Sequence, residues 1–427
     1  MYHYLERCVD RDVLIYHFSP HGSKEIKNLT QLSHRDRNWF DWNTSILMIM
    51  HDQEPLNFNY YNKENLRKNM LPWFWQHDPL TARTAELIPK TLDILLEQNL
   101  GFISHGRSIF DKILICHSEK RSSNLELYEQ HNAIGVYWWS HAIISRDWYR
   151  YAEYDPELNY PETYPIDFNI YNRAWAGSRE YRVKFTDLIV DNDLVASSNI
   201  KFSPMCEDQH FSEYQYKNPR FKPVNDLSVL PTPLATSTYS ADYNATDYQQ
   251  CWIDVVLETL FDDSRLHLTE KTLRPIACGK PFILMATHGS LDYIKEYGFK
   301  TFNSVFDESY DLIVDPYQRM LAVINLMKSL ASLTDKEKSN LNKEIASITA
   351  YNKQHFFSEE FSTRVIEEFK QNYKSAKQLA NQYRKGQAWI QMNRLNCTNR
   401  EIRKRLFSVN PKKPKEDIIK LLRLLKD

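Results

Sequence analysis

Glycine is scarce in this chain. Nine occur among 427 residues, and none fall in G-x-G-x-x-G or G-x-x-x-x-G-K-S/T. That argues against a glycine-loop dinucleotide fold and a P-loop hydrolase, whose phosphate loops need backbone that only glycine permits. An excess of one charge is also lacking. Lys and Arg number 54 against 55 Asp and Glu, a formal net charge of −1, so no global field draws the whole chain onto nucleic acid or membrane. No apolar run approaches the roughly 20 residues that span a bilayer, and the opening MYHYLERCVDRD has no apolar signal core. The six cysteines (Cys8, Cys116, Cys206, Cys251, Cys278, Cys397) are scattered without a C-x-x-C pair, which implies free, mostly buried thiols in a reducing compartment. The expectation is a soluble, cytoplasmic protein with no membrane span.

What the chain does have is 42% hydrophobic residues, enough for two cores. Its 10 Trp and 26 Tyr suit either sugar rings or core packing. Apolar runs at 13–18, 46–50, 113–116 and 134–138 read as strands, and 89–98, 123–130 and 141–150 as helices. This alternation predicts an α/β fold with an open parallel sheet and helices on both faces. Polar clusters end the later strands: His51-Asp52-Gln53-Glu54, His117-Ser118-Glu119-Lys120 and Ser140-His141. Ligands of open α/β sheets bind beyond the carboxyl ends of strands, so these clusters line a candidate cleft. The Pro/Asp/Tyr-rich stretch 154–165 reads as a linker between a domain at 1–160 and another at 166–375. In the second, 168–171, 252–257 and 281–285 read as strands, and 178–190 and 289–296 as helices. The polar stretch 203–249 interrupts them, and loops of that length are usually functional or mobile. Helices are expected at 317–330, 334–353 and 359–383, then a basic helical tail at 376–427 with Arg403-Lys404-Arg405 and Lys412-Lys413-Pro414-Lys415.

The segment HLTEKTLRPIACGKPFILM is the most informative. Thr269-Glu270-Lys271 opens a helix that ends at Gly279 beside the strand at 281–285. An anion-seeking Lys and a hydroxyl-seeking Glu at a helix N-terminus suit a sugar nucleotide: the diphosphate needs cations and helix-end N–H groups, the ribose diol a carboxylate. The structural alternative makes Thr269 an N-cap, Glu270 a first-turn acid complementing the helix dipole, and Glu270–Arg274 an i,i+4 pair. Pro275 falls inside this helix, which predicts a kink or an irregular first turn.

TEKTLRPIACGKPFI resembles the T-E-K…P…G-x-P-F signature in the C-terminal domain of fucosyltransferase-like and exostosin-like glycosyltransferases. YNRAWAGSREYRVKF resembles the N-R-x…R motif that opens their donor domain. HDQEPL, VYWWSHAIISRDWYR and GFKTFNSVFDESYD resemble blocks of phage-type members. The resemblance implies a GT-B fold, two Rossmann-like domains facing across a cleft, here with a helical C-terminal extension. It implies transfer from a nucleotide-sugar donor to a hydroxyl acceptor, inverting and without metal or cofactor. Glu270 would hold the ribose. Lys271 and Arg182 would meet the diphosphate, with Arg179 as the competing choice one turn earlier. Thr269 and Glu258 complete the donor side, Glu258 touching the sugar or holding the Thr269 loop. Asp191-Asn192-Asp193 and Asp262-Asp263 read as loop acids rather than metal ligands.

An inverting transfer needs a base for the acceptor hydroxyl, best with a pKa near the operating pH. Of His51, Asp52, Glu54, His117, Glu119, His141 and Asp147, the favoured two are Asp52 and His141, which follow apolar strands. Arg173, Trp175 and Arg146, with Trp138, Trp139 and Trp148, form a basic-aromatic set suited to stacking on an acceptor. That acceptor could be a glycan or a modified nucleobase. The other class of function is a non-catalytic nucleic-acid-binding or assembly protein using the basic tail, with binding that weakens steeply with salt.

Overall fold

The computed structural model describes residues 13–19, 29–32, 46–51, 112–122, 133–206, 208–230 and 241–395, with Leu5, residues 7–10 and Leu125. They fall into two compact units. The first comprises Met1–Ser118, Ser123–Ser140 and Ile366–Asp427; the second comprises Glu119–Ser122 and His141–Val365.

In the first unit, β1 (Val13–Ser19), β2 (Leu29–Leu32), β3 (Ile46–His51), β4 (Lys112–His117) and β5 (Ala133–Tyr137) form one sheet in the order β2-β1-β3-β4-β5. β1, β3, β4 and β5 run parallel, with Ile15 beside Met48, Met48 beside Leu114 and Leu114 beside Ile134. β2 lies antiparallel on the edge of β1. Val13, Ile15, Met48, Met50, Leu114, Cys116 and Val136 are buried; the register puts them on one face of the sheet, which is a core face. All four strands read from the sequence of this unit are strands here.

From Ser140 onward the helices are α1 (Ser140–Trp148), α2 (Tyr181–Asp191), α3 (Ala245–Gln250), α4 (Glu270–Cys278), α5 (Ser290–Glu296), α6 (Pro316–Ala331), α7 (Asp335–Phe357) and α8 (Glu359–Leu395). The chain returns to the first unit within α8, at Ile366. There Phe369 meets Trp138 edge-on at 6.0 Å, Asn372 Nδ2 donates to the Tyr137 carbonyl at 3.0 Å, and Lys377 pairs with Asp10 at 2.6 Å. Trp138 and Trp139 are fully buried, so they serve the core.

The second unit holds β6 (Ile166–Asn172), β7 (Ser198–Phe202), the short antiparallel pair β8 (Met205–Cys206) and β9 (Gln209–His210), β10 (Cys251–Leu257) and β11 (Phe282–Met285). Its main sheet is parallel, in the order β11-β10-β6-β7. The chain steps outward from β6 to β7, crosses back, then steps the opposite way from β10 to β11. The direction of connection therefore reverses between β6 and β10. Asn172 Nδ2 bonds the Arg182 carbonyl (2.9 Å) and Thr186 Oγ1 (2.8 Å), which sets α2 on one face. Trp252 Nε1 bonds Asn342 Oδ1 at 2.6 Å and Lys338 pairs with Asp167, which sets α7 on the other face, with α4 packed against it.

Capping chemistry fixes the helix bounds. Thr269 caps α4, which runs unbroken through Pro275 and ends at Gly279 with φ +72°, the left-handed value glycine adopts without strain. Asp315 with Pro316 opens α6, and Thr334 with Glu337 forms a capping box for α7.

Two expectations need correction. Stretch 154–165 packs inside the second unit: Tyr160 OH bonds the Cys278 carbonyl, and Lys280 Nζ lies 4.3 Å and 4.2 Å from the Tyr160 and Tyr164 ring centres. The chain passes between units at Ser118/Glu119, Ser122/Ser123, Ser140/His141 and Val365/Ile366 rather than at 154–165. The polar stretch after 203 is built, not bare loop, in its described part. Glu180 accepts from Lys217 N (2.9 Å) and Asn218 N (2.7 Å), and Asp187 accepts from Val224 N (3.0 Å) and Asn225 N (2.8 Å). These two carboxylates bind the insertion onto α2. No helix among the described residues is long and apolar enough to cross a membrane. Residues 52–111, 231–240 and 396–427 lie outside the described residues. They contain Asp52, Glu54, the helix expected at 89–98 and residues 396–427 of the basic tail expected at 376–427.

Candidate functional site

The carboxyl edge of the second sheet is organised by Glu258, the residue after β10. It is fully buried. Its carboxylate accepts from Thr259 N (3.1 Å), Thr269 N (2.9 Å), Thr269 Oγ1 (2.8 Å), Thr272 N (3.3 Å) and Thr272 Oγ1 (2.5 Å). A carboxylate that accepts backbone N–H groups at a helix start offsets both the orphan donors and the helix dipole. Of the two roles expected for Glu258, holding the Thr269 loop is the one its hydrogen bonds perform. There is a cost to anion binding: Lys271 N is taken by Thr269 Oγ1 (3.3 Å) and Thr272 N by Glu258. Side chains rather than those N–H groups must meet a ligand at this helix end. α5 is sealed likewise, with Ser290 N and Leu291 N donating to the buried Asp311 at 3.1 Å and 3.0 Å.

Glu270 lies beside this knot with a side chain only 6% exposed. Its Oε1 is 2.8 Å from Lys271 Nζ, which also donates to Thr269 Oγ1 at 3.1 Å. Its Oε2 is 3.1 Å from His141 Nδ1, an ion-pair contact. The i,i+4 pair with Arg274 does not form; Glu270 turns to His141 and Lys271 instead. His141 is buried near the start of α1, with the ring of His267 edge-on at 5.2 Å. Tyr149 OH donates to the Glu270 carbonyl at 3.3 Å. Burial alone would raise the Glu270 carboxyl, but Lys271 and His141 outweigh it and hold it well below the usual range. A carboxyl depressed in the folded state contributes stability above its unfolded pKa, about 4.3, and loses it as pH falls through the folded value. Glu270→Gln is therefore expected to flatten the loss of stability below about pH 4, read from denaturant melts across an acid series. An unchanged slope would contradict the pairing.

At the neighbouring strand end, the chain leaves β6 through Arg173-Ala174-Trp175 and enters α2. Arg182 is 3% exposed and sits where the sheet reverses direction. Its guanidinium donates to the carbonyls of Ala174 (2.5 Å), Leu257 (2.6 Å) and Glu258 (2.9 Å). The expected second diphosphate cation is thus spent on tying β6 to β10. Arg182 and Lys271 do converge, each joined to Glu258: Arg182 through the carbonyl, Lys271 through Thr269. Arg179, in the 3-10 turn Gly177–Arg179, is half-buried, and its one hydrogen bond among the described residues is Nε to the Ala176 carbonyl at 3.4 Å. Its terminal nitrogens have no protein acceptor among the described residues, and its charge acts on Arg182, so Arg179 is the cation of this pair that remains available.

The proposed acceptor set separates. Trp175 is fully buried, its Nε1 bonded to the Ser203 carbonyl at 2.8 Å and its ring edge-on to Tyr214 at 5.3 Å. Arg146 is likewise committed: it bonds the carbonyls of Phe356 (3.3 Å), Phe357 (2.5 Å) and Ser358 and the Ser362 hydroxyl, closing the C-terminal end of α7. Both are structural. Arg173 is exposed, one residue beyond β6. Among the base candidates, Asp147 is exposed and faces Arg150 at 3.6 Å. Glu119 is buried with Ser122 (2.8 Å) and Arg265 (3.6 Å). Asp52 and Glu54 lie outside the described residues. Of the acids read as loop acids, Asp191 accepts from Asn225 Nδ2 at 2.6 Å, Asp193 has φ +57°, and Asp263 pairs with Arg265 at 2.6 Å.

What the structure brings together is a buried carboxylate flanked by an imidazole and an ammonium, at the edge where the strand order reverses. Such an edge can hold an anionic ligand and move a proton. His267, Tyr149 and Glu180 were not singled out from the sequence. His267 carried a usable signal, because it lies two residues before the Thr269 cap. Compared with known proteins, the chain matches no family model, no curated protein and no solved structure.

Proposed function

We propose that the chain is a nucleotide-sugar glycosyltransferase of the GT-B arrangement, with two Rossmann-like units, transferring to a hydroxyl acceptor with inversion and without metal. The observation that supports this most is the cluster of His141, Glu270 and Lys271, set beside the Glu258–Thr269 knot at the point of strand reversal. Open α/β sheets bind ligands at that point. Lys271, whose side chain is 23% exposed, and Arg179 supply about two positive charges for a diphosphate carrying about two negative ones. Glu258 and Arg182 position them. Each Glu270 oxygen keeps a lone pair for a ribose hydroxyl.

In the transfer, the acceptor O–H proton passes to His141. The oxygen attacks C1, and the C1–O bond to the diphosphate breaks with its electron pair leaving on the nucleotide. Glu270 beside Nδ1 favours a proton there, which makes Nε2 the basic nitrogen. The test is release of nucleoside diphosphate from UDP-, GDP-, ADP- and CDP-linked sugars incubated with the full chain. Release from one sugar nucleotide, lost in Lys271→Ala, is the expected result. No release from any of them, with or without glycan and hydroxymethylated-DNA acceptors, would overturn the proposal.

A further inference from the structure

Several buried cations in the second unit are matched with acceptors among the described residues, but Arg274 is not. Arg182 donates to three carbonyls. Arg319 donates to the carbonyls of Ala286 (3.1 Å), Ile313 (2.5 Å), Val314 (3.1 Å) and Phe261 (2.5 Å). Arg146 closes the end of α7, and Lys280 donates to the Cys251 carbonyl at 2.7 Å. Arg274, on the second turn of α4, is half-buried, and its Nε is shielded from solvent without a partner. No acceptor among the described residues takes any of its N–H groups.

The acids around Arg274 are already committed. Asp254 accepts from Asn169 Nδ2 (2.9 Å) and Tyr248 OH (3.3 Å). Glu270, one turn earlier on the same face, is held by His141 and Lys271. The hydroxyls of Tyr149 and Tyr171 donate to the Glu270 carbonyl and to Asp247. The Arg274 guanidinium instead lies over the ring of Tyr171, 4.3 Å from its centre. That stacking fixes its plane while leaving its N–H edge directed elsewhere. Tyr171 is the second-last residue of β6, so Arg274 belongs to the same carboxyl edge as Lys271, which precedes it by three residues and neighbours it on the helix surface.

We propose that Arg274 is an anion-binding residue, donating to phosphate oxygens of the diphosphate group that Lys271 and Arg179 also meet. This rests on the assignment of that edge to a nucleotide donor. It adds a recognition element the donor reading did not contain: a guanidinium fork pre-oriented on tyrosine. A fork of this kind donates to two phosphate oxygens side by side, which a lysine cannot do.

The experiment is calorimetric titration of the full chain and of Arg274→Gln and Arg274→Lys with inorganic pyrophosphate, UDP, GDP, ADP and CDP, and the four nucleosides. Wild type is expected to bind pyrophosphate and one nucleoside diphosphate. Arg274→Gln should weaken both by roughly 10- to 100-fold, the loss typical of a charge-assisted hydrogen bond, while nucleoside affinity stays unchanged. Arg274→Lys, which keeps the charge and the tyrosine contact, should remain folded and bind several-fold more weakly than wild type. Wild-type affinity in folded Arg274→Gln would overturn the proposal and leave the donor assignment standing. If Arg274→Gln fails to fold, wild-type affinity in Arg274→Lys would overturn it. Binding of none of these ligands by the wild-type chain would overturn the donor assignment itself, and this proposal with it.

Discussion

Glu258→Ala is expected to destabilise the second unit by roughly 3–5 kcal/mol, the range in which a substitution breaks a buried network. The buried carboxylate accepts from three backbone N–H groups and two threonine hydroxyls. The hydroxyls can rotate toward other acceptors, but the N–H groups of Thr259, Thr269 and Thr272 cannot. Each buried donor left without a partner costs about 1–3 kcal/mol, and the vacated side-chain volume adds to that. Glu258→Gln should lose less, because its carbonyl still accepts while its amide opposes one N–H. Denaturant unfolding followed by tryptophan fluorescence is the check. The transition that carries Trp175 and Trp252 should move, since both are buried in the second unit. A loss below about 1 kcal/mol would mean that the helix start is held by something other than Glu258.

His141→Ala is expected to lower turnover by about 10²- to 10⁴-fold, the usual contribution of a positioned general base, with nucleotide affinity little changed. The separation follows from the geometry: His141 touches Glu270 through Oε2, whereas Lys271 is held through Oε1. Removing the imidazole leaves the ammonium in place. The pH profile supplies a second readout. Wild-type turnover should fall at acid pH as the imidazole takes a proton, and that limb should vanish in the residual activity of the variant. Near-wild-type turnover in His141→Ala would remove it from the chemistry and leave Asp52 as the remaining favoured base.

Much of the scaffold was legible from pattern alone, and the exceptions share a cause. Runs such as 13–18, 46–50, 252–257 and 281–285 are each a strand, and the last two are apolar because both faces of their strands are buried. The α4 bounds followed from Thr269 and Gly279. Arg182 and Trp175 were misread because the sequence does not reveal what covers α2. Every residue from Tyr181 to Ile189 is buried, including Arg182, Lys184, Thr186 and Asp187. The insertion, fastened through Glu180 and Asp187, covers the face that helical periodicity assigns to solvent. Trp175 is enclosed by Ser203 and Tyr214 of the same insertion. Arg146 escaped for a related reason: its acceptors lie 210–216 residues away, a separation no local pattern encodes. Glu258 was legible in part, as an acid directly after a fully apolar strand end. Its task was not, because the threonines it binds follow 11 and 14 residues later.

The central claim is that this sheet edge grips a nucleoside diphosphate through Lys271. The most direct measurement is the melting temperature of the full chain with UDP, GDP, ADP and CDP in turn, beside Lys271→Ala. A ligand at 100 times its dissociation constant adds about 2.7 kcal/mol to the folded state, so one of the four should raise the melting temperature of the wild-type chain by a few degrees. The Lys271→Ala chain should fold, because that side chain is partly exposed, and should show no such rise. No rise with any of the four, or an undiminished rise in Lys271→Ala, would contradict the claim.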